Sequence, residues 1–147
     1  MKKILLFALL ACLLYACGNK TKQTGEQDTV KNKDEAKQLF DRVIAVHDEV
    51  MTYERMIMEN KMKLDSLSKL DIKPAEKDSA MLLSKNLTIA ENAMGDWMHK
   101  FEPDYSGKPN DEAIKYLTAQ ETQIKHVDSL TKAAIKASWQ FYSKYNK

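Results

Sequence analysis

Two imidazoles and three thioethers are the side chains of this sequence that could do chemistry together. His47 and Met51 lie one turn apart at helical spacing, and Met94, Met98 and His99 surround Trp97. Soft thioethers with imidazole suit Cu(I), so a copper site is one thing such a group could build. The spacing has none of the specificity of paired Cys-x-x-Cys ligands, and methionine also fills irregular cores. A histidine on an apolar stripe is ordinarily a hydrogen-bonded core residue, and Asp96 is the partner expected for His47. The first expectation for His47, Asp48, Met51, Met94, Asp96, Trp97 and Met98 is therefore a core cluster holding no cofactor. The alternative is a metal site drawn from His47, Met51, Met94, Met98 and His99. Haem stands further off, because no Cys-x-x-Cys-His attachment is present and a b-type site needs two axial ligands at one level. His126 is expected about eleven residues, or ~16 Å, along the molecule from Trp97.

Catalytic patterns are weaker still. No serine or thiol stands with histidine and acid in a recognisable order, and Gly18, Gly25, Gly95 and Gly107 form no phosphate-cradling loop. Carboxylates interleave with lysines, as at Asp34, Glu35, Lys37 and Asp41, which is the pattern of a solvated face. The chain is expected not to be an enzyme.

Helices must bring the candidate residues together. Counting back from Phe101 in alternating steps of four and three gives Trp97, Met94, Ala90, Leu87, Leu83 and Ala80, an unbroken apolar stripe. Ahead of it Phe40, Val43, His47, Val50, Ile57 and Leu64 follow the same spacing, flanked by Leu39, Ile44, Val46, Met51, Met58 and Met62. Asn32 with Glu35 offers a capping box for that first helix, and Lys73-Pro74 ends the segment and opens the next. Gly95 inside the second helix implies either a close neighbour or simple tolerance. Glu102-Pro103 stops the second helix, and Asn110 is placed to cap a third. The third carries Ala113, Leu117, Ile124, Val127, Leu130, Ala134 and Ile135, interrupted by Gln120, Thr131 and Ser138. Trp139, Phe141, Tyr142 and Tyr145 crowd its end, where capping the core is expected ahead of an exposed partner-binding tip.

The expected fold is all-α, an elongated antiparallel three-helix bundle of coiled-coil-like character over residues 32–147, with helices near 32–70, 74–101 and 110–145. Antiparallel pairing about a turn near residue 72 sets His47 opposite Trp97.

The amino-terminal end gives a location. Lys2-Lys3, an apolar run from Ile4 to Ala16 and then Cys17 make a cleaved secretory signal over residues 1–16. Leu14-Tyr15-Ala16-Cys17 resembles the lipobox of bacterial lipoproteins, which implies a diacylglycerol on Cys17. Cleavage also removes Cys12, so no disulfide is available and stability rests on the core. Taking Lys2 and Lys3 from 23 basic residues leaves 21, against 21 acidic ones. That balance argues against a nucleic-acid partner, which demands a basic face. Residues 17–31 hold little apolar surface and read as a flexible tether. Gly18 and Asn19 follow the cysteine, with no aspartate in the second position of the mature chain, so the outer membrane is the expected destination, the protein facing the periplasm. Asp28-Thr29-Val30, Asp65-Ser66-Leu67, Asp78-Ser79-Ala80 and Asp128-Ser129-Leu130 each resemble the sequon of envelope-glycosylating bacteria, with Thr29 on the tether the accessible one.

Ile44-Ala45-Val46-His47-Asp48-Glu49-Val50-Met51 together with Met94-Gly95-Asp96-Trp97-Met98 resembles a family of small bacterial lipoproteins that often carry the label "viral A-type inclusion protein". The label reflects coiled-coil-like composition. The likeness covers about residues 36–135, with Thr52 where the family pattern has proline and His99 where a basic residue is commoner. It implies a helical protein tethered to a membrane, whose partners are that membrane, through the lipid, and another protein or a second copy of itself.

Overall fold

The computed structural model describes residues 23–145, with side chains described from Lys33 onward. Helices α1 (Gln23–Met51), α2 (Glu54–Ser68), α3 (Pro74–Lys100) and α4 (Asn110–Tyr142) follow in order. α1 and α2 form one arm, α3 returns antiparallel to it, and α4 runs parallel to the arm, as the pairs Arg42–Glu121, Asn60–Ser138, Lys61–Glu91 and His47–Trp97 show. α1 packs on α4, α2 on α3 and α4, and α3 on α4, which is the all-α antiparallel bundle expected from the periodicity. The signal sequence and Cys17 lie outside the described residues.

Two boundaries differ from expectation. α1 already includes residues 23–31, part of the stretch read from sequence as tether, so Asn32 lies inside the helix and not at its start. Those residues contain no proline, and Glu, Gln and Lys extend a helix cheaply once the apolar segment beyond has nucleated it. At the start of α4 the cap position belongs to Pro109, whose carbonyl accepts from the Ala113 amide at 2.9 Å, and Asn110 is the first helical residue. Pro74 opens α3 as expected, with the Lys73 amide donating to the Glu76 carboxylate at 3.2 Å.

The first arm is interrupted at Thr52 and Tyr53. Their amides bond only three residues back, to Glu49 O at 3.1 Å and Val50 O at 2.9 Å. The Thr52 hydroxyl donates to the same Glu49 carbonyl at 2.6 Å, a local competition that tightens and bends helices. Tyr53 keeps helical dihedrals, so the arm bends without losing phase. Val43, Val46, Val50, Tyr53, Ile57, Asn60, Leu64 and Leu67 continue the alternating steps of three and four through the break, each buried or half-buried. Val43, Val50, Ile57 and Leu64 lie inside as read from the sequence, and only Phe40 and His47 give way, to Leu39 and Val46 one position earlier. Leu39 is inside and Phe40 and His47 flank it, while Met51, Met58 and Met62 are exposed.

α4 also keeps the period perfectly. Ala113, Leu117, Gln120, Ile124, Val127, Thr131, Ala134 and Ser138 are its buried residues. The polar side chains read as interruptions therefore occupy core positions. Asn60 Nδ2 donates to Ser138 Oγ at 2.9 Å, and the Ser138 hydroxyl donates to Ile135 O at 2.8 Å. A buried polar pair between parallel helices acts like a polar residue in a coiled-coil seam, fixing register at some expense of stability. Asn60→Ala and Ser138→Ala are expected to couple in a double-mutant cycle by about 0.5–1.5 kcal/mol in urea unfolding. Additive effects would show that the 2.9 Å contact does not form in solution.

Candidate functional site

The level of His47 and Trp97 is built where all three arms meet. Val43, Val50, Met94, Trp97, Ile124 and Val127 form its core, with Val46, Ala93 and Phe101 packed against them. His47 lies beside Trp97 with ring centroids 5.8 Å apart, as the turn near residue 72 required. Trp97, only 5% exposed, stacks on Phe101 at 4.7 Å. Phe101 stacks in turn on Phe40 at 6.2 Å and Tyr116 at 6.3 Å, and Phe40 meets Tyr105 from the connecting loop at 5.4 Å. The aromatic run thus reaches from mid-bundle to the end at which α3 stops. The Tyr116 hydroxyl ties that end down, accepting from the Glu102 amide at 2.7 Å.

His47 is partnered within its own helix. Asp48 Oδ1 accepts from Nδ1 at 2.8 Å, leaving Asp96, the partner expected from sequence, exposed on α3. The physical reason is reach. Asp48 is adjacent on the exposed side of α1, whereas Asp96 is one residue off the inward row of α3 and turns away with the helix. His99, two residues past Trp97, is carried about 200° round α3 and is exposed, so the two imidazoles do not face a common space. That arrangement does not suit a bis-histidine haem.

His126 departs from expectation too. Ile124 and Val127 share the Trp97 core, so His126 lies at that level and is exposed on the outer side of α4. α4 overshoots α3, because Ala113 and Leu117 pack with Ala36, Leu39 and the loop residue Tyr105 beyond the end of α3.

The thioethers separate into two kinds. Met94 is buried, whereas Met51 and Met98 are partly exposed, and the three line one cavity of about 220 Å³ between the bend of the arm and α3. Gly95 lines it as well, and a Cβ there would meet nothing within 4 Å, so the glycine reflects tolerance and not a close neighbour. Four buried polar atoms have no partner among the described residues: Trp97 Nε1, Gln120 Oε1, Asp128 Oδ1 and Thr131 Oγ1. No group of three histidine, cysteine, aspartate or glutamate side chains able to hold a metal ion occurs among the described residues.

Comparison with protein-family models, with curated proteins and with solved structures finds no match to this chain.

A polar network that sequence reasoning missed closes the opposite side of the bend. Lys132 of α4 donates to Asp128 at 2.9 Å and pairs with Glu49 at 2.8 Å, and the Tyr53 hydroxyl donates to Glu49 at 2.9 Å. The hydrogen bonds from Lys132 and then Tyr53 hold Glu49 below the usual carboxylate range, while Glu49 and then Asp128 raise the Lys132 ammonium. Nearer the loop end Glu121 accepts from Arg42 at 3.0 Å and Lys125 at 2.8 Å, in that order of effect, and is likewise lowered. The four-residue spacings Asp128–Lys132 and Glu121–Lys125 were visible in the sequence; the partners on α1 required the register of α4. Thr29, read as an accessible glycosylation site, falls within α1, and the other three sequons lie within α2, α3 and α4.

Two measurements follow from this geometry. Trp97→Ala is expected to cost about 3–5 kcal/mol in urea unfolding, and Trp97→Phe much less, since it also removes the unpartnered indole N–H. Equal costs would mean that the ring is not packed as described. A carboxylate whose folded pKa is depressed stabilises above its unfolded value, near 4.3, and that stability is lost as pH falls through the folded value. Between pH 6 and pH 3 the wild-type midpoint should therefore fall more than that of Glu121→Gln, by an amount worth about 0.5 kcal/mol. Parallel curves would show that the Arg42 and Lys125 pairs contribute nothing.

Proposed function

We propose that this chain is an outer-membrane lipoprotein, held through a lipid on Cys17, whose bundle presents a protein-binding end to the periplasm. The observation that supports this most is the apolar surface at the end of the bundle farthest from the start of α1. Trp139 is 59% and Leu70 56% exposed there. Of the aromatic residues expected to cap the core, Phe141 does pack against it, but Trp139 stands clear. A groove of about 350 Å³ between α2 and α4 lies beside it, lined by Met62, Leu67, Leu70, Tyr142 and Tyr145. Trp139 and Tyr142 are three residues apart and share a helix face, so the groove and the tryptophan form one patch. Exposed aromatic and methionine side chains gathered in this way mark interaction sites, and their charged rim of Glu59 and Lys63 is typical of such surfaces.

The lipobox supports the anchor, and no described helix is long and apolar enough to cross a membrane. The motif likeness to helical lipoproteins points the same way. With α1 beginning at one end and the patch at the other, α4 alone separates them by ~50 Å. A photo-crosslinking residue at position 139 is expected to capture a protein in intact cells, whereas one at position 99, exposed on α3 at the mid-bundle level of Trp97, is not. Cys17→Ala should release the protein from membranes and stop lipid labelling. Equal crosslinking at both positions, or membrane retention of the Cys17 variant, would overturn the respective half of the proposal.

A further inference from the structure

We propose that the cavity beside the bend is a soft-metal site made of three thioethers, Met51, Met94 and Met98, suited to a monovalent ion such as Cu(I) or Ag(I). Met94 and Met98 are one turn apart on α3 and share a face, while Met51 comes from the end of α1 opposite; all three line the same space. Thioether sulfur is neutral, polarizable and soft, which selects Cu(I) over the hard cations that carboxylates prefer. The same wall carries Thr131, 1% exposed, whose hydroxyl has no partner among the described residues. A buried hydroxyl opening on a cavity of this size has room for a water beside a bound ion. Glu54 and Glu91 also line it; Lys61 neutralises Glu91 at 2.6 Å, and the charge of Glu54 favours a cation.

The ligand set differs from the mixed imidazole and thioether group suggested by the sequence. His47 has committed Nδ1 to Asp48 and lies on Trp97, and His99 is on another side of α3; neither lines the cavity. A second methionine pair, Met58 and Met62, borders a different groove that the same Glu54 and Glu91 also line, but there Arg55 and Lys61 balance both carboxylates and no buried methionine contributes. Because Met51 and Met98 are each more than one-third exposed and methionine has three flexible torsions, they can close on an ion smaller than the cavity.

The test uses the full chain carrying Cys12→Ala and Cys17→Ala, since free thiols would compete, with Ag(I) as a redox-silent probe. One equivalent should move the methyl resonances of Met51, Met94 and Met98 together and leave those of Met58 and Met62 in place. Met51→Leu and Met98→Leu keep side-chain volume and should leave the helical circular dichroism unchanged. Each should weaken Ag(I) binding about tenfold or more, at least the loss that follows removal of an outer-shell partner. Met58→Leu and His47→Ala should leave the affinity unaltered. Shifts spread evenly over the exposed methionines, unchanged affinity in the two leucine variants, or an equal loss in His47→Ala would each overturn the assignment.

Discussion

Everything in this bundle depends on a period of three and a half residues held in register along three arms. A straight helix drifts by about 20° per heptad against such a pattern, so helices that keep it stay in contact only by wrapping around one another. Ala80, Leu83, Leu87, Ala90, Met94, Trp97 and Phe101 keep it on α3 without a gap, and so do the eight buried residues of α4. The first arm has to accommodate the bend at Thr52, and does so without inserting or deleting a step. A shift of one residue there would have rotated Ile57 and Leu64 by 100° and left α2 with no apolar row for α3 and α4.

The core so formed is unequal along its length. Toward the loop end it is aromatic, with Trp97, Phe101, Phe40 and Tyr105 in succession. Toward the other end small residues such as Ala80, Ala90 and Ala134 meet larger aliphatic ones such as Leu64 and Leu87, while Asn60 and Ser138 supply the polar contact. Ion pairs stitch the outside, Arg42–Glu121 and Glu49–Lys132 across α1 and α4, and Lys61–Glu91 across α2 and α3. Exposed pairs of this kind add little individually. Their geometric contribution is larger, because each pins one arm to one height of its neighbour.

The sequence revealed α3 almost residue by residue, because prolines fence it and every inward position is apolar. The first arm was harder, since Leu39 and Phe40, or Val46 and His47, stand side by side and make two phases of the stripe nearly equivalent. α4 was misread for the opposite reason. Gln120, Thr131 and Ser138 are polar, and only the neighbouring arms show that these positions face inward. At the candidate site the meeting of His47 with Trp97 was legible from one turn. The partner of His47 was not, since two carboxylates lay within reach and the choice between Asp48 and Asp96 depends on rotation about the helix axes. The separation of the thioethers from the imidazoles depends on the same rotations.

The parallel course of α1 and α4 has a mechanical meaning. When a molecule is held at its amino-terminal end and pulled at Trp139, the load enters α1 at one end of the rod and α4 at the other. The two helices are then drawn past each other lengthwise, so every layer from Leu39–Leu117 down to Asn60–Ser138 resists at once. An antiparallel pair held at adjacent ends would peel open one layer at a time. Rupture under force follows the unfolding rate and not the equilibrium stability. A bundle of modest stability can therefore serve as a strong link along its axis while remaining easy to split from the side.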